Sequence, residues 1–493
     1  MKKQAVVVIH GMGEQIPMET LTSFVDSVWT TDASLVDQDR PDPNTGQKPR
    51  PKVNNASWSK PDRRNRSYEL RVITTEKGSS GRRTDFYEYY WAHLMVDTTW
   101  AQVRAWIFEL MFRNPKRDVP RGVLPVWIIL WLLALGGVVA FFFTLRPTPD
   151  GVEGSWWGAI AVAIGTAFLG WLLGFLVSYF GDVARYVKAK PTNVARRQEI
   201  RENGVQLLET LMGIQPDGTL LPERDREYDR IVFVAHSLGT IAAYDILSQA
   251  FARVNTIVNT AVAPFPQTAR RAIEEMIQDA AAKPPSGEAA EQWIARLQQA
   301  QADARKELNQ TGNPWIVSDF VTVGSPLTHA EFLLVRDRAG LTEAKSQRIM
   351  PTCPPTLEFD GLTDRHHFTY RSLEVRGLGT NEDPGSPRVP HHAALFAYTR
   401  WSNAYSPHSL IAWGDIISGP LADAMGMEAN GRTISGIVDR PVMPALDRSG
   451  APLGREDRPF FTHTKYWTAY GWPPRWPNRH IAVLREMLRL GES

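Results

Sequence analysis

The chain has 493 residues, 43% hydrophobic and 22% charged, with a formal net charge of +2. That length leaves room for one large domain plus an insertion, and so balanced a charge argues against nucleic acid as a partner. A single cysteine, Cys353, excludes an intrachain disulfide and suits a reducing compartment.

Met1-Lys2-Lys3 is followed by too few apolar residues to make a signal-peptide core. Residues 5–9 (Ala-Val-Val-Val-Ile) read as a short buried strand, and His10-Gly11-Met12-Gly13 follows at once. Taken alone, that tetrapeptide is a Gly-rich βα turn of a kind found in many α/β proteins. A helix is expected around 19–29 and a Pro-rich polar loop over 40–66. Residues 67–75 and 84–91 read as paired strands joined by Lys77-Gly-Ser-Ser-Gly81.

Residues 122–145 carry no charge, and neither do 154–181. Each exceeds the roughly 20 apolar residues that cross a hydrocarbon core. Only Arg146-Pro-Thr-Pro-Asp150-Gly-Val-Glu153 connects them, so they form a hairpin. Two buried core helices are the alternative, but Trp127-Ile-Ile-Leu-Trp-Leu-Leu is apolar on every face, where a soluble helix has a polar stripe. Arg113, Lys116, Arg117 and Arg121 precede the first span, and Arg185, Lys188, Lys190, Arg196 and Arg197 follow the second. Both termini are therefore expected in the cytoplasm. Trp100, Trp106, Trp127, Trp156 and Trp157 flank the spans, where amphipathic rings favour the headgroup layer. Residues 98–112 have helical apolar spacing and suit an interfacial helix or a core-packed one.

After a helix over 193–212, residues 231–235 form an apolar strand that runs through His236 into Ser237-Leu238-Gly239 and a helix rich in Ala, Ile and Leu. Strand, tight turn with Ser, then helix is the context of a nucleophile elbow. Small residues two before and two after the Ser, here Ala235 and Gly239, relieve crowding at the sharp turn. A Ser cap on an ordinary βα turn is the alternative. The hairpin thus interrupts a strand-to-helix crossover, which leaves a parallel sheet at the edge where active sites lie. Residues 265–312 are charged and Ala/Gln-rich, with a solvated helix expected over 289–308; they could cap the site or decorate the surface. A further buried strand begins near Asp319 and ends in Gly324-Ser325-Pro326-Leu327. Asp319 precedes its C-terminal end and so falls on the wrong side of the sheet for catalysis. His366-His367 and His391-His392 are adjacent pairs whose side chains diverge, so they read as non-ligands, and no metal or cofactor is expected. Residues 399–405 read as another strand. Asp415 is the first acidic residue after it, Asp439 is the reserve, and His463 lies near the C-terminal end.

The order Ser, acid, His is that of α/β-hydrolases. The chain resembles a serine α/β-hydrolase of the lipase/esterase superfamily. Ala235-His-Ser-Leu-Gly-Thr-Ile-Ala-Ala-Tyr-Asp245, Gly324–Leu327 with Phe332 and Arg336, and His463 before Tyr466-Trp467 are similar to intracellular phospholipases of the DDHD type. The resemblance implies a mostly parallel sheet flanked by helices; it does not extend to the insertions, and the transmembrane hairpin is read from the uncharged stretches 122–145 and 154–181. The resemblance also implies Ser237 as nucleophile, His463 as base, and the backbone amides of Met12 and Leu238 as oxyanion donors. The family's acid follows its Trp-x-Asn-x-Tyr segment closely, where this chain has Ser406-Pro-His-Ser, so Asp415 is taken as the orienting acid as the first acidic residue beyond. His10, Gly11, Ala235 and Gly239 are then structural residues of the loop and elbow. The expected organisation is hydrolase core over 1–95, membrane insertion over 96–190, and hydrolase core again over 191–493. The expected function is cytoplasm-facing cleavage of lipid or phospholipid acyl esters at a bilayer. A thioesterase acting on lipidated proteins and an inactive membrane scaffold are the alternatives.

Overall fold

A computed structural model describes residues 2–11, 16–50, 52–65, 68–95, 110–116, 118–120, 186–187, 191–257, 267–361, 363–370, 388–408, 413–444, 461–468 and 479–492, with scattered residues between 124 and 136. Eight strands make one sheet: β1 (Lys3–Ile9), β2 (Ser57–Pro61), β3 (Arg71–Thr75), β4 (Thr84–Tyr89), β5 (Tyr228–His236), β6 (Val317–Val323), β7 (Arg400–Tyr405) and β8 (Val438–Pro441). Their order is β8-β7-β6-β5-β1-β4-β3-β2. The β2–β3 and β3–β4 pairings are antiparallel. The pairings that join β1, β4, β5, β6, β7 and β8 are parallel, so those six C-terminal ends share one edge.

The central strands are apolar because both faces are covered. Ala5, Val7 and Ile9 of β1 with Ile231, Phe233 and Ala235 of β5 face one layer, into which Leu208, Ile246, Ile277 and Leu297 pack. Val6, Val8, Val232 and Val234 face the other, packed against Phe24, Val28, Leu484 and Leu488. The first layer is α2 (Pro191–Met212), α3 (Gly239–Val254), α4 (Thr268–Ala282) and α5 (Glu288–Gln310); the second is α1 (Glu19–Val25) and α6 (Arg479–Leu488). The molecule is an α/β structure with helices on both sides of a mostly parallel sheet.

Several expectations change. The polar loop over 40–66 contains β2, an edge strand that exposes most of its side chains and ends at Pro61. Proline is tolerated there because its missing N–H costs an edge strand nothing. The expected helix at 19–29 is α1 followed by a π-helical turn over Asp26–Thr30. The helix expected to be solvated over 289–308 is partly buried. Trp293, Leu297, Gln301, Ala304 and Leu308 form a buried stripe on α5. Gln301 Nε2 donates to the Phe396 carbonyl at 2.6 Å, and Arg305 to that of Tyr398 at 3.0 Å. These carbonyls precede β7, so α5 is a core helix at the edge opposite the parallel strands' C-terminal ends.

The crossover from β4 to β5 runs through α2, as the chain order implies, and the segment before α2 leaves from the C-terminal end of β4. Among the described residues no helix is long and apolar enough to cross a membrane. Of the first expected span, 124, 127, 128, 131, 132 and 134–136 are helical. The second span, 154–181, lies outside the described residues, as do Trp100 and Trp106.

Candidate active site

The site is assembled where β5 ends. Ser237 takes φ 54, in the left-handed region that non-glycine residues seldom enter. The next residue, Leu238, is already helical and leads into α3. One residue therefore turns strand into helix. Such strain costs about 1–3 kcal/mol and persists only where the surroundings impose it. Here they do: the Ser237 amide donates to the Val323 carbonyl at 3.0 Å, and Thr240 Oγ1 donates to the Ser237 carbonyl at 2.7 Å.

β1 ends alongside, with Ile9 in register with the buried Ala235. His10 and Gly11 consequently lie against the turn. A Cβ on Gly239 would overlap the His10 carbonyl, and one on Gly11 would stand 2.8 Å from Ser237 Cβ. Small residues here are required by backbone-to-backbone approach. His10 is buried and serves as structure. Its Nδ1–H donates to the Gly11 carbonyl at 2.7 Å, its Nε2 accepts the Trp91 amide at 3.2 Å, and its ring stacks on Trp91. Burial brings its pKa down to about 4, so the ring is neutral. Leu238 is fully buried, and its amide belongs to the first turn of α3, whose donors have no intrahelical acceptor. Met12 lies outside the described residues.

Three segments far apart in the chain meet at Ser237. His463 Nε2 accepts the Ser237 hydroxyl at 2.7 Å, and His463 Nδ1–H donates to Asp415 Oδ2 at 3.0 Å. All three residues are buried. Asp415 Oδ1 accepts the Ile417 amide at 3.0 Å. Burial alone pushes the Asp415 carboxyl up, but the adjoining His463 and hydrogen bonds from His463, Tyr466 and Ser418 outweigh it and hold it at about 2. It is an anion at neutral pH. The arrangement can move a proton from a hydroxyl to an imidazole and stabilise the resulting cation.

Asp439, the reserve acid, is committed elsewhere. Its carboxylate accepts the Leu421 and Ala422 amides at 2.9 Å and Asn403 Nδ2 at 2.7 Å, capping the short helix Ala422–Met425. Asp319 lies at the opposite sheet edge, where Arg230 and Arg400 donate to it at 2.8 and 3.0 Å. Despite its burial, these guanidinium groups hold its carboxyl well below the usual range. His367 lies between Glu274 and Thr363 at 2.9 and 2.8 Å, and His391 Nε2 meets the Thr356 carbonyl at 3.0 Å. Among the described residues no His, Cys, Asp and Glu side chains group as a metal site.

Two neighbours of the Ser237–His463–Asp415 run make hydrogen bonds that a linear reading does not contain. His236 Nε2–H donates to the His463 backbone carbonyl at 2.7 Å, its ring 5.0 Å from those of His463 and Trp467. Burial, reinforced by His463, lowers its pKa to about 3, so it remains a neutral donor. Tyr466 donates to Asp415 Oδ2 at 2.6 Å and accepts the Ser406 amide at 3.0 Å. Both stand in motifs that carry the resemblance, His236 beside Ser237 and Tyr466 three residues after His463, but the motifs do not show which polar atoms they hold. Comparison of the chain with family models, curated proteins and solved structures finds no match.

Proposed function

We propose that this chain is a membrane-anchored serine hydrolase of the α/β-hydrolase type, cleaving carboxylic esters of lipids or phospholipids. The observation that carries the reading is the hydrogen-bonded run from Ser237 through His463 to Asp415, built on a strained strand-to-helix turn. His463 Nε2 takes the proton as Ser237 Oγ attacks the ester carbonyl, and Asp415 holds the imidazole in the tautomer that presents Nε2. The Leu238 amide, with the Met12 amide of the loop after β1, stabilises the oxyanion. His463 returns its proton to the leaving alcohol, and water then releases the acid from the acyl-enzyme by the same route. An inactive scaffold has no need of an ionised acid, a tautomer-fixed imidazole and a strained serine in one line.

The lipid assignment rests on the uncharged stretches 122–145 and 154–181, inserted at the C-terminal end of β4 on the edge that carries Ser237. The basic flanks put both termini and the hydrolase domain in the cytoplasm. A fluorophosphonate probe tests the reading, since it needs only an activated serine. Wild-type protein should label and Ser237→Ala should not, its esterase turnover falling on the order of 10⁴-fold or more with membrane association unchanged. Near-wild-type turnover in that variant would sink the assignment.

A further inference from the structure

We propose that Arg113 is a clamp that fixes a lipid-facing apolar surface to the loop behind the site, so that the bilayer is presented to Ser237 in one orientation. This rests on the lipid-esterase reading above.

Arg113 lies just before the first uncharged stretch and reaches back to the segment after β6. Its Nη1 donates to the Phe332 carbonyl at 2.8 Å and the Arg336 carbonyl at 3.2 Å, its Nη2 to Val335 at 3.5 Å. The guanidinium lies 4.8 Å from the centre of the Phe332 ring. Phe332 sits in the single helical turn Ala330–Leu333, whose last carbonyls have no intrahelical donor. A planar fork can serve several such oxygens and a ring face at once, which an ammonium cannot.

The clamped segment leads directly to the site. Pro326–His329 is a helical turn in front of it. Ser325 Oγ, just before that turn, meets Thr240 Oγ1 at 2.8 Å, and Thr240 holds the Ser237 carbonyl. Thr328 Oγ1 donates to the Pro420 carbonyl at 2.9 Å, and His329 Nε2 lies 3.3 Å from the Ile416 carbonyl, one residue beyond Asp415. On its other side Arg113 adjoins an apolar surface. Trp127 and Trp131 Nε1 donate to the Leu110 and Met111 carbonyls, both at 3.0 Å, and Phe112 packs edge-on to Trp131. With their N–H groups paired inward, the two indoles leave Phe112, Ile128, Leu132 and Leu135 exposed, the last two at 61% and 60%. Positions 128, 132 and 135 share one helical face. Lipid is the occupant that fits, because this face belongs to the uncharged stretch 122–145 and is bordered by indoles and basic residues.

Two measurements on the full chain decide the matter. Arg113→Ala, reconstituted in phosphatidylcholine vesicles, should keep fluorophosphonate labelling and soluble-ester turnover within about three-fold of wild type, since it touches no group at Ser237. Long-chain ester cleavage in the vesicles should fall roughly ten-fold or more through misorientation. Dissolving the vesicles in detergent should restore it, and Arg113→Lys should rescue little. An equal loss on both substrates, or no loss on vesicles, overturns the clamp. Leu132→Cys carrying an environment-sensitive dye (Cys353 being buried) should be quenched by brominated acyl chains. A dye signal that follows protein concentration and ignores brominated lipid means a second copy covers the face, and overturns the lipid surface. Absence of lipid cleavage by the wild type would defeat the esterase reading instead, leaving the dye measurement to decide the surface.

Discussion

At the scale of single residues, His236 separates positioning from chemistry. It touches no reacting atom, yet its Nε2–H holds the carbonyl of His463. In the proposed mechanism the imidazole must stay within a fraction of an ångström of Ser237, and a displacement of about 1 Å costs on the order of 10²-fold in rate. His236→Leu should therefore lower kcat by that order while KM changes little. His236→Gln, which can return an N–H to the same place, should recover much of the loss. Steady-state kinetics on a soluble ester, read beside thermal unfolding, checks this. If both variants lose activity and stability in parallel, the ring only fills space.

At the scale of elements, the packing of α1 on β4 has buried a carboxyl. Glu88 is inaccessible; its Oε2 accepts the Met18 amide at the start of α1, and its Oε1 has no hydrogen-bond partner among the described residues. Burial raises its pKa from 4.5 to about 7, against the smaller effect of the Met18 amide. The folded chain thus binds this proton more tightly than the unfolded chain. Stability is undiminished below about pH 4.5 and declines as pH rises through about 7, by at most roughly 3 kcal/mol. Glu88→Gln should melt above wild type at pH 8, the gap closing by pH 5. Calorimetry at the two pH values tests this, and a gap independent of pH would mean that another group titrates.

At the scale of the whole molecule, the α/β core and the uncharged stretches are separate in the chain. The Ser237 turn, the His10-Gly11 loop and His463 all lie outside 122–181. Replacing 122–181 by a short Gly/Ser linker should leave soluble-ester turnover within a few-fold while long-chain cleavage in vesicles falls much further. Each acyl methylene costs about 0.8 kcal/mol to bring into water, so a long chain seldom leaves the bilayer for an untethered enzyme. Equal loss on both substrates would make the insertion part of the fold. Accessibility tags at either terminus should report cytoplasm and a tag beside Asp150 the opposite side; a cytoplasmic signal at Asp150 rules out a spanning hairpin.

Contiguous residues sufficed to locate the strand at 5–9, the turn at Ser237 and the strand leading to Gly324. Each is a local pattern of apolar residues, small residues and a break, and a strand buried on both faces or a one-residue turn leaves few other sequences that fit. The sequence order also put forward His463, which meets Ser237, and Asp415, which meets His463. What it could not decide is which polar atoms pair across the chain. Chain order ranks Asp415 before Asp439 but does not exclude the second. Tertiary structure spends Asp439 on the Leu421 and Ala422 amides and brings Asp415 to His463. Likewise α5 read as solvated because its polar residues outnumber its apolar ones. Gln301 is buried because it bonds Phe396, a pairing across 95 positions that no periodicity contains. Local patterns are set by the backbone's own geometry, whereas the partners of a buried polar atom are set by whichever distant segments the packed sheet brings within hydrogen-bonding reach.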